Sequence, residues 1–463
     1  IRTTLDVNFR GFELDKITGF GKFSKTYLSY QGRELSLDLF RFNSRIRKNV
    51  RTFKMNSDLM SFYGQGNFKF NQIYSDLKTM LKEYELKIKN SPEAISQYYQ
   101  NKTKDTTKYT FNYTIVLKNS IPITQIIDPN LQISPNTIIN GSFSNDTKTT
   151  LELHTQFDSI TYDKISLKDN EIDLIAQKNK FNNEVDLYYC LASREQTFKK
   201  KTVSKSFNLN GNWIKDSLTF SSNLTAQHEK NGYTLNGNIN FLEDSTTINF
   251  FNSDFKINNH KLQLVDTNRI GIKDRHVVFR DIVMVDKNRN KFHKLSGEIL
   301  PDQEHEVRLQ LDSFDINYLS IFARIELNGL YTGDIVFSNF YDNLTITSQY
   351  NLTDFGLING EIGDLNGKVK WTEKNQKIEL ESSIFKDSVK FANITGGLYT
   401  QKNNLSPLDL HFQLNRIPIK LLEPFLFGHV SHMDGVAIGA LDIIGDFNAP
   451  GFYGNPRVEG GGF

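Results

Sequence analysis

Two stretches of the chain alternate apolar and polar residues with period two: Val307-Arg308-Leu309-Gln310-Leu311-Asp312 and Leu408-Asp409-Leu410-His411-Phe412-Gln413-Leu414-Asn415. Successive side chains of a strand point to opposite faces, so each run predicts a strand with one apolar and one polar face. Each run leads into a short apolar segment, Phe314 to Phe322 in the first and Ile417 to Phe425 in the second. Leu309 matches Phe412, Leu311 matches Leu414, Phe314 matches Ile417 and Phe322 matches Phe425 at a constant offset of 103. Gly329 and Gly333 match Gly435 and Gly439 at an offset of 106, which implies a three-residue insertion. Self-similarity of this kind predicts an elongated, stacked architecture.

Strands separated by glycine turns are predicted over residues 1–71. One helix follows near 72–89, where Ile73, Leu77, Met80, Leu81, Tyr84 and Ile88 fall three and four residues apart. Asp76, Lys78, Lys82, Glu83 and Lys87 fill its other face, and Pro92 with the polar stretch from Asn101 to Lys108 closes the insertion as a linker. Strands resume at Tyr109 and continue to the end, with Asn140-Gly141, Asn210-Gly211, Asn231-Gly232, Asn328-Gly329 and Asn359-Gly360 as turn signals. The division is therefore 1–71, 72–108, 109–290 and, for the repeated pattern, 291–463. The fold class is all-β: a long, curled, mostly antiparallel sheet with one helical insertion.

One helix cannot cover four hundred residues of one-faced strand. Either the sheet folds over on itself, or it curls into a trough with an apolar lining. Strands of six to eight residues are roughly 20–26 Å long and stack about 4.8 Å apart. About 30 of them would form a sheet on the order of 140 Å long and one acyl chain deep.

Composition narrows the partners. The 55 basic and 53 acidic residues are mixed along the chain, which leaves no broad basic stripe for nucleic acid. The run from Arg41 to Arg51 is the exception; it reads first as a solvated strand and turn, and second as a contact with anionic lipid or a partner. Cys190, the only cysteine, excludes an internal disulfide and reads as a small buried hydrophobe. No apolar run is long enough for a membrane-spanning helix. Ile1 and the Gly460-Gly461-Gly462-Phe463 end suggest an internal piece of a longer polypeptide.

The stretch Ile394-Thr395-Gly396-Gly397, continued through Leu408–Leu414 and Pro418–Phe425, resembles the C-terminal part of TamB-like proteins. So does the glycine-spaced strand Gly435–Gly445 with the turn Ala449-Pro450-Gly451-Phe452-Tyr453-Gly454. Ser57-Asp58-Leu59-Met60, Gly66–Phe70 and Ile127-Asp128-Pro129 through Gly141-Ser142-Phe143 are similar to the Bacteroidota branch of that family, whereas residues 150–290 match only in style. The resemblance implies an AsmA-like, bridge-like lipid transfer protein of the periplasm, held in the inner membrane by an N-terminal anchor outside this sequence. It also implies a taco-shaped sheet carrying phospholipid towards the outer membrane. An Omp85-type barrel partner would be reached through a part beyond Phe463.

Candidate chemistry is sparse. His429, His432 and Asp434 have metal-ligating side chains without a further ligand nearby, and Asp302, Glu304, His305 and Glu306 form a polar turn. No nucleophile or phosphate-loop motif occurs, so neither an enzyme nor a cofactor is expected. The candidate site is the lipid-facing row: Val307, Leu309, Leu311, Ile335, Phe337, Leu344, Ile346, Val369, Trp371, Ile378, Leu380, Val389, Phe391, Leu408, Leu410, Phe412 and Leu414. The competing readings are a packed core between two sheets and a scaffold whose strand edges assist outer-membrane barrel assembly.

Overall fold

The computed structural model describes residues 2–30, 33–102, 107–199, 201–227, 229–257, 259–286, 291–301, 305–319, 326–357, 360–400, 407–421, 434–446 and 449–462. Twenty-nine strands and three α-helices fall among them. The protein is mostly β, and neighbouring strands pair antiparallel. Compactness divides the chain into Ile1–Asn259 and His260–Phe463, ahead of residue 291 where the repeated pattern begins.

The first unit is a meander in chain order. The single exception is the short strand Leu131–Ile133, which pairs with Lys148–Tyr162 alongside Thr137–Asn145. Many strands exceed the predicted six to eight residues: Lys148–Tyr162 and Ile165–Asn179 have 15 each. Two of the predicted turn signals also sit inside strands instead of ending them. Asn140-Gly141 lies within Thr137–Asn145 and Asn210-Gly211 within Lys201–Ile214, so neither is a turn. Asn231-Gly232 does open a strand after a turn, Asn328-Gly329 lies inside Leu327–Ser338, and Asn359 is outside the described residues.

The strand glycines make room for rings. Residues opposite one another in register share a face, and along one row of the first unit they read Gly64, Tyr113, Gly141, then Tyr189, Gly211, Phe220 and Gly237 after two leucines. The Tyr113 ring lies over Gly141 and the Tyr189 ring over Gly211, where a Cβ would collide with the phenol. At Gly64 a Cβ would meet Phe111 Cε2 at 2.7 Å and Phe62 Cε1 at 3.0 Å. Phe111 cannot retreat, because Phe68 holds it at a centroid distance of 4.4 Å.

Helix α1, Phe70–Lys89, lies across this aromatic face. Phe70, Ile73, Leu77, Met80 and Tyr84 pack with Phe68, Phe111, Phe143 and Ala176, and Tyr84 reaches Trp213. Its ends are pinned by distant elements. Asp15 Oδ1 accepts from Phe70 N–H at 2.5 Å, placing a carboxylate at the positive end of the helix. Asn90, left-handed at the C-terminus, donates to the Leu242 and Ser245 carbonyls at 2.8 and 3.0 Å. Leu81 and Ile88, predicted on the packed face, are instead each 61% exposed. The predicted polar face is buried at Glu83 and Lys87: a second helix meets Glu83 through Tyr98, and Lys87 reaches Asp216.

That helix, α2 (Pro92–Asn101), replaces the predicted break: Pro92 opens it, and Ser91 caps it by accepting from Ala94 N–H. Glu83, with no side-chain exposure, pairs with Lys178 at 3.1 Å and Lys102 at 2.5 Å and accepts from the Tyr98 hydroxyl at 3.2 Å. Lys178 also donates to the Asn179 and Asn182 carbonyls. Helix α3, Ile121–Ile127, is one further short element that the alternation pattern did not reveal.

The second unit keeps the same plan. His260–Leu264 and Arg269–Lys273 both pair with His276–Asp286; strands then follow in order to Asp434–Asp446, which pairs with both Ala449–Gly454 and Arg457–Gly462. The repeat is visible in the backbone. Ser313 and Arg416, 103 residues apart, have φ of 51° and 55° at the bulges that follow Leu311 and Leu414. Gly333 pairs with Leu311, and Gly439 with Leu414.

Two stability outcomes follow. Gly64→Ala should destabilise the first unit by about 1–3 kcal/mol, read from urea unfolding, because the rings around it have no free space. Glu83→Ala should cost about 3–5 kcal/mol by stranding the buried Lys178 charge, and Glu83→Leu with Lys178→Met should recover most of that loss.

Candidate functional site: the apolar face

Register, residue by residue, decides which side chains share a face in the second unit. Val307 opposes Phe337, then Ile346, Trp371, Ile378, Leu398 and Leu408 in turn. The next row runs Leu309, Ile335, Ser348, Val369, Leu380, Gly396, Leu410 and Ile443. A third contains Leu311, Gly333, Tyr350, Gly367, Ser382, Ile394, Phe412 and Leu441, and Leu414 stands in a fourth with Leu352, Leu365, Ile384 and Ala392. Fourteen of the seventeen candidate residues thus fall in four rows on one face.

The other three sit differently. Phe391 is the extra residue of a bulge opposite Ile384 and Phe385, and its ring packs against the buried cluster. Leu344 lies just ahead of the strand Thr345–Leu357, its carbonyl accepting from Glu373 N–H at 2.9 Å. Val389 is at the Lys386–Val389 hairpin and 53% exposed, away from the rows.

The rows are covered unequally. At one end, Ile316 from a short 3-10 turn and Ile417, Ile419 and Leu421 after the last long alternating run fold over Leu352, Ile384, Ala392, Phe412 and Leu414. Both apolar segments of the repeat therefore plug the same end of the face; their later residues, Phe322 and Phe425, lie outside the described residues. Farther along the strands, Leu309, Ile335, Val369, Leu380 and Leu410 remain half-buried. No second sheet lies over them among the described residues of this unit. Area bookkeeping gives roughly 25 cal/mol for each Å² of apolar surface still facing water, so an occupant of this face gains free energy.

In the first unit α1 divides the face in two. Its polar flank turns to the strand ends, where Asp76 accepts from Tyr109 O–H at 2.7 Å and from Asn145 Nδ2 at 2.9 Å and Lys87 meets Asp216 at 2.6 Å. The opposite flank carries Tyr74, Leu81 and Ile88 at heptad spacing, all three exposed. The helix therefore carries an exposed apolar stripe beside its packed one. Sequence periodicity places Leu81 and Ile88 in the core, because a packed stripe and an exposed apolar stripe on one helix merge into one wide apolar arc.

The reverse face is wet. Cross-strand pairs run along it: Lys168 with Glu195 at 2.5 Å, Arg308 with Asp334 at 3.1 Å and His411 with Asp442 at 2.8 Å. His154, Glu171 and Asp173 form one more such group, with Glu171 already bonded to Gln156. Cys190 stands on this face between Asp173 and Asn210 and is half-exposed, so it is not the buried hydrophobe expected. His429 and His432, and Asp302 and Glu304 of the other polar turn, lie outside the described residues; His305 meets Glu298 at 3.1 Å.

His293 is a titratable group on the inward face. His293 opposes Leu311, is 4% exposed, and its Nδ1 accepts from Asp312 N–H at 3.4 Å. Burial holds its pKa below the ordinary 6.5, against the opposing pull of Asp312 and Asp286. Native His293 therefore binds its proton less readily than the unfolded chain does. Its contribution to stability is complete above pH 6.5 and is lost as the pH falls through the depressed native value. Unfolding measured across that range should show a wild-type decline on acidification that His293→Leu reduces.

Comparison with known proteins gave no matching family model, no matching curated protein and no matching solved structure.

Proposed function

We propose that the chain is a bridge-like lipid carrier of the bacterial periplasm, holding phospholipid acyl chains on its apolar face while head groups stay in water. The observation that carries this reading is the half-buried row Leu309, Ile335, Val369, Leu380 and Leu410, aligned by register and left without a covering sheet among the described residues. A sandwich core would bury such residues almost fully. The resemblance to TamB-like proteins points the same way and supplies the setting: inner-membrane anchorage, an Omp85-type partner and transfer towards the outer membrane. Transfer is passive in this reading, sustained by the apolar face, with direction set elsewhere.

A second reading, a scaffold for outer-membrane barrel assembly, draws on the strand Arg2–Arg10, which pairs on one side only among the described residues. An unpaired edge accepts a client strand by β-augmentation.

Photo-crosslinking residues placed at Leu380 and Leu410, with Glu379 and Gln413 as controls on the reverse face, test the carrier. Phospholipid captured at the first pair and not at the second is expected in mass spectra. Equal capture on both faces, or none at Leu380 and Leu410, sinks the reading. Leu380→Glu should abolish lipid capture with little change in the unfolding midpoint. Phe412 is unsuitable for that test, because at 3% exposure a charge there attacks the core itself. Val7→Pro, which removes an edge donor, should leave lipid capture intact and impair only a scaffold.

A further inference from the structure

We infer that one end of the first unit is a docking tip for an anionic phospholipid bilayer. Two hairpin tips meet there: residues 11–17, between the strands Arg2–Arg10 and Thr18–Tyr30, and the turn at Lys48-Asn49 after Arg33–Arg47. The first tip is ordered. Lys16 and Ile17 N–H groups both donate to the Glu13 carbonyl, at 2.8 and 3.1 Å, and the Arg51 guanidinium donates to the Leu14 and Asp15 carbonyls. This rigid loop holds Phe12 98% exposed and Leu14 50% exposed, and the neighbouring hairpin adds Ile46 and Val50 at 46% and 39%. A tight, hydrogen-bonded turn that projects a phenylalanine almost wholly into solvent stands out, because moving that ring's apolar surface out of water is favourable.

Charge decides the partner. Arg41, Arg45 and Arg47 alternate on the face of their strand opposite Phe40, Phe42 and Ser44, and Arg10 and Lys48 flank the same end. The local acids are engaged: Glu13 pairs with Lys16 at 2.8 Å and Asp15 caps α1. Elsewhere the reverse face pairs its cations across strands, yet none of Arg10, Arg45, Arg47 and Lys48 has an acidic partner among the described residues. An apolar protrusion ringed by unpaired cations fits a negatively charged bilayer: the ring enters the headgroup boundary and the cations meet lipid phosphates. A soluble anionic ligand would use the arginines but leave Phe12 without a role.

The test is co-sedimentation of the whole chain with phosphatidylcholine vesicles, with and without one third phosphatidylglycerol. Binding to the anionic vesicles, weakening as salt rises, is expected. Arg45→Gln with Arg47→Gln should lower affinity about 25-fold, at about fivefold per cation near a membrane surface. Phe12→Ser should weaken binding while leaving circular dichroism and lipid capture at Leu410 unchanged, which separates this surface from the carrier reading. Equal affinity of the variants, equal binding to neutral vesicles, or displacement by inorganic phosphate beyond that by chloride at matched ionic strength would overturn the proposal. So would binding to double-stranded DNA without binding to vesicles.

Discussion

Everything in this protein depends on the constancy of strand register. Side chains alternate with a period of two, so a one-residue slip between neighbours would turn an entire strand's apolar set to water. Along the second unit the rows through Val307, Leu309 and Leu311 pass from strand to strand without inverting. Irregularities are confined to bulges such as those at Ser313, Asp354 and Arg416, which take up an extra residue in a left-handed conformation before pairing resumes. The bulges bend the strands and preserve the faces.

A one-faced sheet leaves the problem of covering, and the two units meet it differently. The second unit uses its own connections, which return over the last rows and bury Ile316, Ile417 and Ile419. The first unit brings in α1, whose position depends on contacts far apart in sequence: Asp15 at one end, Asn90 against Leu242 at the other, and Glu83 with Lys178 between. A buried ion pair is weak support for stability, because desolvation offsets its attraction. Its geometric demand is strict, however, and it fixes how α1 and α2 lie across the strands. Neither device covers the whole face, and the uncovered part is the candidate site.

Much of this was legible in the sequence. The alternation in 307–312 and 408–415 gives strand, face and repeat at once, and the matched bulges and glycines bear out the offsets of 103 and 106. What failed depends on neighbours that periodicity does not see. Asn-Gly signals a hairpin only when no ring needs the space above the glycine; at Gly141 and Gly211 a tyrosine from the adjacent strand does. Pro92 breaks a helix, but one residue after Ser91 it begins another. Cys190 looked like a core residue by type, and its place opposite Asp173 on the wet face is a matter of parity within the strand.

The aromatic–glycine pairs link folding to the candidate function. A flat row of large side chains would fill the space above the sheet, and a row of small ones would leave strands poorly held. Setting Tyr113 over Gly141 and Phe220 over Gly237 lays each ring along the sheet instead of standing it upright. The floor is then apolar, low and stiff. On the reverse face the ion pairs keep a second sheet from stacking, since burying Lys168–Glu195 or Arg308–Asp334 would require desolvating both partners. Such a sheet resists self-association on one side and stays open on the other, where an apolar occupant gains free energy by leaving water.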